Sequence, residues 1–382
     1  MGRPAHPSVT AAVRAKKRKA HLDAIEITQA VQDLNESVPL VGRKRAIVRV
    51  YLGVQTGAVN VLGELRVSRH PHGPWVAVPS MGIAHLDGSR HGTALADLRS
   101  RRDTLDYSLN FRLPPKLTTQ GTIWVQLHKV REVGSGHPVQ IDDPIGTKSA
   151  TFTAGTLLRL HVINLRYATG APAVTYSASA NDLAHLQSWL RRAYPIPDVA
   201  FSSVTVGSNA AWPFTSGDAN TQVAAIRALD MASGGDQRTH YYGIVSDGGG
   251  FMRGSAAGIP GTPDPSIVAS GPTGSSNWGW DNDGSYGDWY GGHELGHTFG
   301  RFHPGFCGET QDDLTRYPYD HGQLGSSDDS FAGFDVGDSV NGLPMVALQG
   351  TQWHDVMTYC NFQWLSAYTY QAVRKRLLDE NA

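Results

Sequence analysis

Residues 293 to 303 read His-Glu-Leu-Gly-His-Thr-Phe-Gly-Arg-Phe-His. Histidines at positions 293 and 297 are spaced i, i+4. On a helix that spacing sets both imidazoles on one face, at a separation that one tetrahedral zinc ion can bridge. Glu294, next to the first histidine, is placed to reach a water on the metal rather than the metal itself. Gly300 takes a left-handed turn without steric cost and so marks the end of the helix. The turn lets His303 swing back as a third ligand. Three protein ligands leave one coordination position open, which suits a catalytic site rather than a structural one. The five-residue core occurs by chance in unrelated helices. The glycine and third histidine in register make the extended pattern far more specific than three unconnected surface histidines.

Two further segments flank this motif. Asp355-Val356-Met357-Thr358-Tyr359 follows it, and the chain's two cysteines, Cys307 and Cys360, lie beside the two segments. Two thiols alone do not fix a redox compartment.

Together, the extended histidine motif and the later methionine segment resemble the metzincin clan of zinc endopeptidases. The resemblance covers residues 156 to 382. It implies one catalytic Zn2+ held by His293, His297 and His303, with Glu294 as general base. It implies that Met357 forms an apolar base under the metal. Tyr359 would be an additional ligand and transition-state stabiliser, as in some branches. Pro304 is similar to the serralysin branch, whereas the spacing to the methionine and the cysteines are not, so no branch is assigned. If the two motifs meet at the metal, as the resemblance implies, Cys307 and Cys360 come close and a disulfide would tie them. Two buried free thiols, or a redox switch on the zinc, are the alternatives. Clan members align extended substrate along an edge strand before the zinc helix. Phe251 to Ile259 is the candidate here, with Arg253, Gly254, Ser255 and Ala256 as substrate-binding residues.

The elements that must position this site divide the chain. Residues 22 to 153 show period-two alternation, for example Ala46, Val48, Val50 and Leu52 against Ile47, Arg49 and Tyr51. Further runs cover Val61–Val67, Tyr107–Leu113 and Ile123–Leu127. Turn signals at Asp87-Gly88 and Pro114-Pro115 separate them. This predicts an immunoglobulin-like β-sandwich serving as an accessory module. From 156 to 382 the pattern is strand (Leu157–Tyr167), helix (Asn181–Tyr194, capped by Ser179 or Asn181), strand (Ser203–Val206), helix (Val223, Ile226, Leu229) and strand (Tyr241–Val245). That order predicts parallel pairing in an α/β layer. The expected fold class is therefore α+β and multidomain. A polar, glycine-rich stretch from Asp247 to Asp288 follows, with weak strand candidates at Phe251–Ile259 and Ser266–Ala269.

Other residues are read more plainly. Trp278, Trp280, Trp289 and Tyr290 either line a substrate pocket or pack the glycine-rich loop, and packing is the favoured reading. Asp281, Asp283, Asp312, Asp313, Asp328, Asp329, Asp335 and Asp338 offer oxygen ligands for Ca2+. No complete twelve-residue calcium loop is present, so solvated loop acids are expected. His70 and His72 are read as exposed, and His354 as structural.

The chain has 382 residues, a formal net charge of −1 and 40% hydrophobic residues, with 43 glycines and 21 prolines. That balance carries no global field toward nucleic acid or anionic membrane, and no apolar run is long enough to span a bilayer. Residues 1 to 21 are basic without an apolar core and read as a solvated tail rather than an export signal. The expectation is a secreted or extracellular endopeptidase acting on protein or glycoprotein, with a cytoplasmic location left open. Two other readings stand beside it: a non-catalytic surface binding protein on a peptidase fold, and a protease effector delivered into a target cell.

Overall fold

A computed structural model describes residues 18–89, 95–275, 280–281, 283–308, 313, 316–326 and 331–382. The fold is mixed α+β, mostly β, with several sheets and few helices. The helices are α1 (Leu95–Arg102), α2 (Ala180–Ala193), α3 (Ser216–Ala232), α4 (Gly287–Thr298) and α5 (Ala367–Glu380). Among the described residues no helix is long and apolar enough to cross a membrane.

In the N-terminal half, a four-stranded sheet runs in the order Gln140–Asp142, Lys19–Thr28, Ile47–Gly53, Leu109–Arg112. A second sheet is built on the long antiparallel pair Ala58–Ser68 and Gly121–Glu132. Alternation drives the packing. Leu22, Ile27, Val48, Val50 and Phe111 of the first sheet meet Val61, Leu65, Val67, Ile123 and Val125 of the second in one core. The outer face of the first sheet is polar yet covered. Glu26 pairs with Arg102, and Asp23 with Arg101, under α1. The first strand begins at Lys19, inside the segment read as a tail, because Ala20 and Leu22 turn inward while Lys19 stays exposed. Residues 1 to 17 lie outside the described residues.

In the C-terminal half, the strand Leu158–Thr169 pairs in parallel with Val199–Gly207 on one side and His240–Ser246 on the other. His240–Ser246 pairs in parallel with Ala269–Thr273, and the short strand Ser255–Ala256 closes the edge antiparallel. Leu158, Leu160 and Val162 face a core shared with α2, α4 and α5, while Ile163 and Leu165 face α3. Helix α2 starts as its sequence requires. Ser179 accepts from the Asp182 amide, and the Asp182 carboxylate accepts from the Ser179 amide, which satisfies two free donors at the helix start.

Three elements differ from the sequence reading. The candidate strand Phe251–Ile259 shrinks to Ser255–Ala256, because Arg253 takes a left-handed φ of 109° just before it. The strand expected at Ser266–Ala269 lies later, at Ala269–Thr273. Leu229 is 69% exposed, since α3 buries its first half through Ala219 and Val223 and its end overhangs the sheet.

Candidate metal centre and active site

Helix α4 sits against α2 and carries His293, Glu294 and His297 in the interior, at 7%, 4% and 6% exposure. Gly300 has φ 77° and turns the chain out of the helix, so His303 returns toward the other two imidazoles. His303 Nε2 lies 3.1 Å from His293 Nε2 and 3.0 Å from His297 Nε2. A tetrahedral zinc with bonds of ~2.05 Å needs its nitrogens about 3.3 Å apart, so the spacing fits one ion with little adjustment.

The other ring nitrogens settle the tautomers. His293 Nδ1 donates to the Val356 carbonyl and His297 Nδ1 to the Arg301 carbonyl, both at 2.7 Å. A carbonyl can only accept, so both Nδ1 atoms carry protons, and each ring in its neutral form presents a lone pair at Nε2. Burial, then the neighbouring His297 and His303, holds the His293 pKa well below the usual imidazole value, so the neutral form dominates. In the absence of an ion, a proton on His303 Nε2 could bond only one of these two lone pairs at a time, whereas one cation is shared by all three nitrogens. The donor set of three imidazoles suits zinc.

The second segment closes the site from below. Met357 is 1% exposed, and its sulfur lies so near α4 that a Cβ on Gly296 would stand 2.4 Å from it. Asp355 orders this turn. One carboxylate oxygen accepts from the Met357 amide at 2.9 Å and the other from the Ser366 amide at 3.0 Å. Tyr359 is 55% exposed, with its ring 5.1 Å from that of His303 and 5.9 Å from that of His293. Cys307 and Cys360 form a disulfide that joins the loop after His303 to the segment after Tyr359.

Glu294 faces a cavity of about 690 Å³ bordered by His293, Tyr359, Tyr290, Trp280 and Arg253. Burial pushes its carboxyl up to about 8, against a lowering hydrogen bond from the Ala256 amide. Gly254 donates its amide to the Tyr290 hydroxyl at 2.8 Å, which holds the edge strand over the cavity. A side chain at Gly254 would meet Glu294 Oε1 at 2.7 Å, so only glycine admits this approach. Of the four residues named for substrate binding, Arg253 and Gly254 border the cavity and Ser255 and Ala256 form the edge strand.

The aromatic residues before His293 pack as favoured and also border the cavity. Trp289 is buried in the core and also borders the cavity with Trp280 and Tyr290. Trp278 lies outside the described residues, as do Asp312, Asp328 and Asp329. The remaining loop acids are not solvated as expected. Asp313, Asp335 and Asp338 are buried, and Asp281 and Asp283 are half-buried. Most have a polar partner that the sequence places far away, such as Arg192 for Asp335 and Ser188 for Asp338, whereas Asp281 accepts from the nearby Asp283 amide. His70 and His72 are exposed, and His354 Nδ1 donates to the Asn361 carbonyl at 2.9 Å. The Val356 and Arg301 carbonyls and the Asp355 carboxylate were missed. The carbonyls carry no side-chain signal, whereas Asp355, directly before Val356-Met357, was available to find.

No family model matches the chain, and none of the curated proteins matches it.

Proposed function

We propose that the chain is a zinc-dependent endopeptidase of metzincin type, its catalytic part preceded by an immunoglobulin-like β-sandwich. One observation carries this reading: three imidazole Nε2 atoms converge beside a buried glutamate at the edge of a cavity. His293, His297 and His303 would hold the ion. A bound zinc ion supplies Lewis acidity, which makes water nucleophilic near neutral pH.

The chain's own residues supply the rest. Extended substrate would lie along the edge strand Ser255–Ala256, with its scissile carbonyl over the cavity. Glu294 takes a proton from the attacking water, and burial makes it a stronger base than an exposed carboxylate. It then hands that proton to the amine nitrogen as the C–N bond breaks. Tyr359, which borders the cavity, would donate its hydroxyl to the oxyanion. The disulfide fits an oxidising compartment, so we place the site of action outside the cell.

The test is cleavage of a mixed peptide library by wild type and Glu294→Gln, each with its metal content measured. The variant is expected to keep its metal and lose ~10³-fold in kcat/KM. Equal cleavage by both proteins rules out the assigned role.

A further inference from the structure

Away from the three histidines, a second group of ligand atoms meets between α2 and the start of α4. One ring nitrogen of His185 and one carboxylate oxygen each of Asp283 and Asp288 all lie within 4.8 Å of one another. His185 is 3% exposed and Asp288 0%. We propose that the chain binds a second divalent cation here, a transition-metal ion of zinc or manganese type, through His185, Asp283 and Asp288.

Two buried atoms point to the ligand. Asp288 Oδ2 and His185 Nδ1 each lack a hydrogen-bond partner among the described residues. The nearest cation to Asp288 Oδ2 is Arg192, whose Nη2 is 3.8 Å away, too far for a hydrogen bond. Arg192 is already engaged by Asp335 and by the Ser188 hydroxyl. A plain His185–Asp283 ion pair, at 3.2 Å, would account for the imidazole but leave Asp288 Oδ2 orphaned. An unpaired buried carboxylate oxygen is costly, and a metal bond removes that cost.

The charge balance agrees. Asp281, Asp283, Asp288 and Asp335 gather around one guanidinium, with Lys44 beyond it. Burial, then Asp283, pushes the Asp281 carboxyl up to about 6. Burial, then Asp283 and Asp281, pushes Asp288 well above the ordinary range. These carboxyls repel one another, and a shared cation relieves them together. The other oxygens are already placed. Asp288 Oδ1 accepts from the Trp289 amide at 2.6 Å, and Asp283 Oδ1 from the Ser285 amide at 3.1 Å. That leaves Asp283 Oδ2, 3.2 Å from His185 Nδ1, and the buried, unpartnered Asp288 Oδ2.

One nitrogen with carboxylate oxygens suits zinc or manganese, whereas calcium sites take oxygen alone. Asp281, Asp283 and Asp335 also border a cavity of about 420 Å³, which gives an ion a way in. Bound there, the ion pins the loop at Asp283 and α2 at His185 to the first turn of the helix that carries His293, Glu294 and His297.

The experiment is metal analysis of the full chain after equilibration with micromolar Zn2+, Mn2+ or Ca2+ in separate arms. Wild type is expected to hold about two transition-metal ions per chain, and either His293→Ala/His297→Ala or Asp288→Asn about one. A wild-type value of about one that Asp288→Asn leaves unchanged overturns the proposal, and needs no variant of the first site to fold. Loading by Ca2+ in preference to Zn2+ and Mn2+ overturns the choice of ion. As a second readout, the melting temperature of His293→Ala/His297→Ala should rise with added Zn2+, and fail to rise when Asp288→Asn is added. No rise in the double variant overturns the site independently of whether the histidine centre is catalytic.

Discussion

Removing the disulfide by Cys307→Ala/Cys360→Ala has a cost that follows from chain length. The bridge closes a loop of 53 residues. Chain entropy for a loop of that size gives about 14 cal/mol/K, or about 4 kcal/mol at 25 °C. Little native packing offsets the loss, because Cys307 is exposed and only Cys360 is buried. The measurement is urea unfolding followed by tryptophan fluorescence on chelator-treated protein, so that metal binding to the native state does not add to either value. The native contacts of His303 and Tyr359 lie on opposite sides of this bridge, so the variant should also lose kcat/KM at a temperature where both proteins are folded. A stability loss under ~1 kcal/mol would refute the entropic reasoning and show that the unfolded loop is already held together.

Two other substitutions probe the packing around the centre. Gly296→Ala forces a methyl to within 2.4 Å of the Met357 sulfur. It should cost about 1–3 kcal/mol and weaken metal retention, read by unfolding and by metal analysis after dialysis. Lys44 is fully buried and donates to the carbonyls of Arg191 and Arg192 at the end of α2. Burial pushes its ammonium down to about 7 from an ordinary 10.5. Between those values the unfolded chain binds a proton that the folded chain does not, so this residue makes stability rise with pH. Relative to Lys44→Met, wild type should gain about 1.4 kcal/mol per pH unit between pH 7.5 and 9.5, and a flat difference would contradict the assignment.

The parts of the site that were legible are local. The spacing of His293 and His297, the stop at Gly300 and the return of His303 are encoded within eleven residues, and helix geometry with the turn at Gly300 makes them a cluster. Ser179 and Asp182 announce the start of α2 for the same reason. Burial of charge was not legible. The sequence shows Asp335 and Asp338 on a loop, and only the fold brings Arg192 and Ser188 from α2 to meet them. His185 was read past because a histidine within an amphipathic helix carries no sign of what faces it. Asp288 was read as the end of a loop, although Asp281-x-Asp283-x-Ser285-x-x-Asp288 repeats acidic and hydroxyl residues along the approach to α4. The edge strand failed for a conformational reason. Arg253 adopts a left-handed φ that its residue type does not advertise, and so the pairing begins only at Ser255.

The N-terminal half is also tied into the histidine cluster more closely than its strand pattern implies. Ala30, Val31, Val38 and Val41 belong to the core that surrounds α2 and α4, not to the core between the first two sheets. Val31–Asp33 pairs with Phe331–Asp335, and Gln29 uses its amide on Val41 and Lys44 to hold the departing loop. The Trp364 indole donates to the Ala30 carbonyl at 2.9 Å, and the Trp364 carbonyl accepts from the Val356 amide at 2.6 Å. The Val356 carbonyl in turn accepts from His293 Nδ1. A continuous set of hydrogen-bonded groups thus runs from the first strands to the ring that must present its lone pair. Because a backbone carbonyl fixes that ring, its orientation depends on everything that fixes the carbonyl. Residues 29 to 44 are therefore part of the support of the histidine centre, whatever the two sheets around them do for the protein.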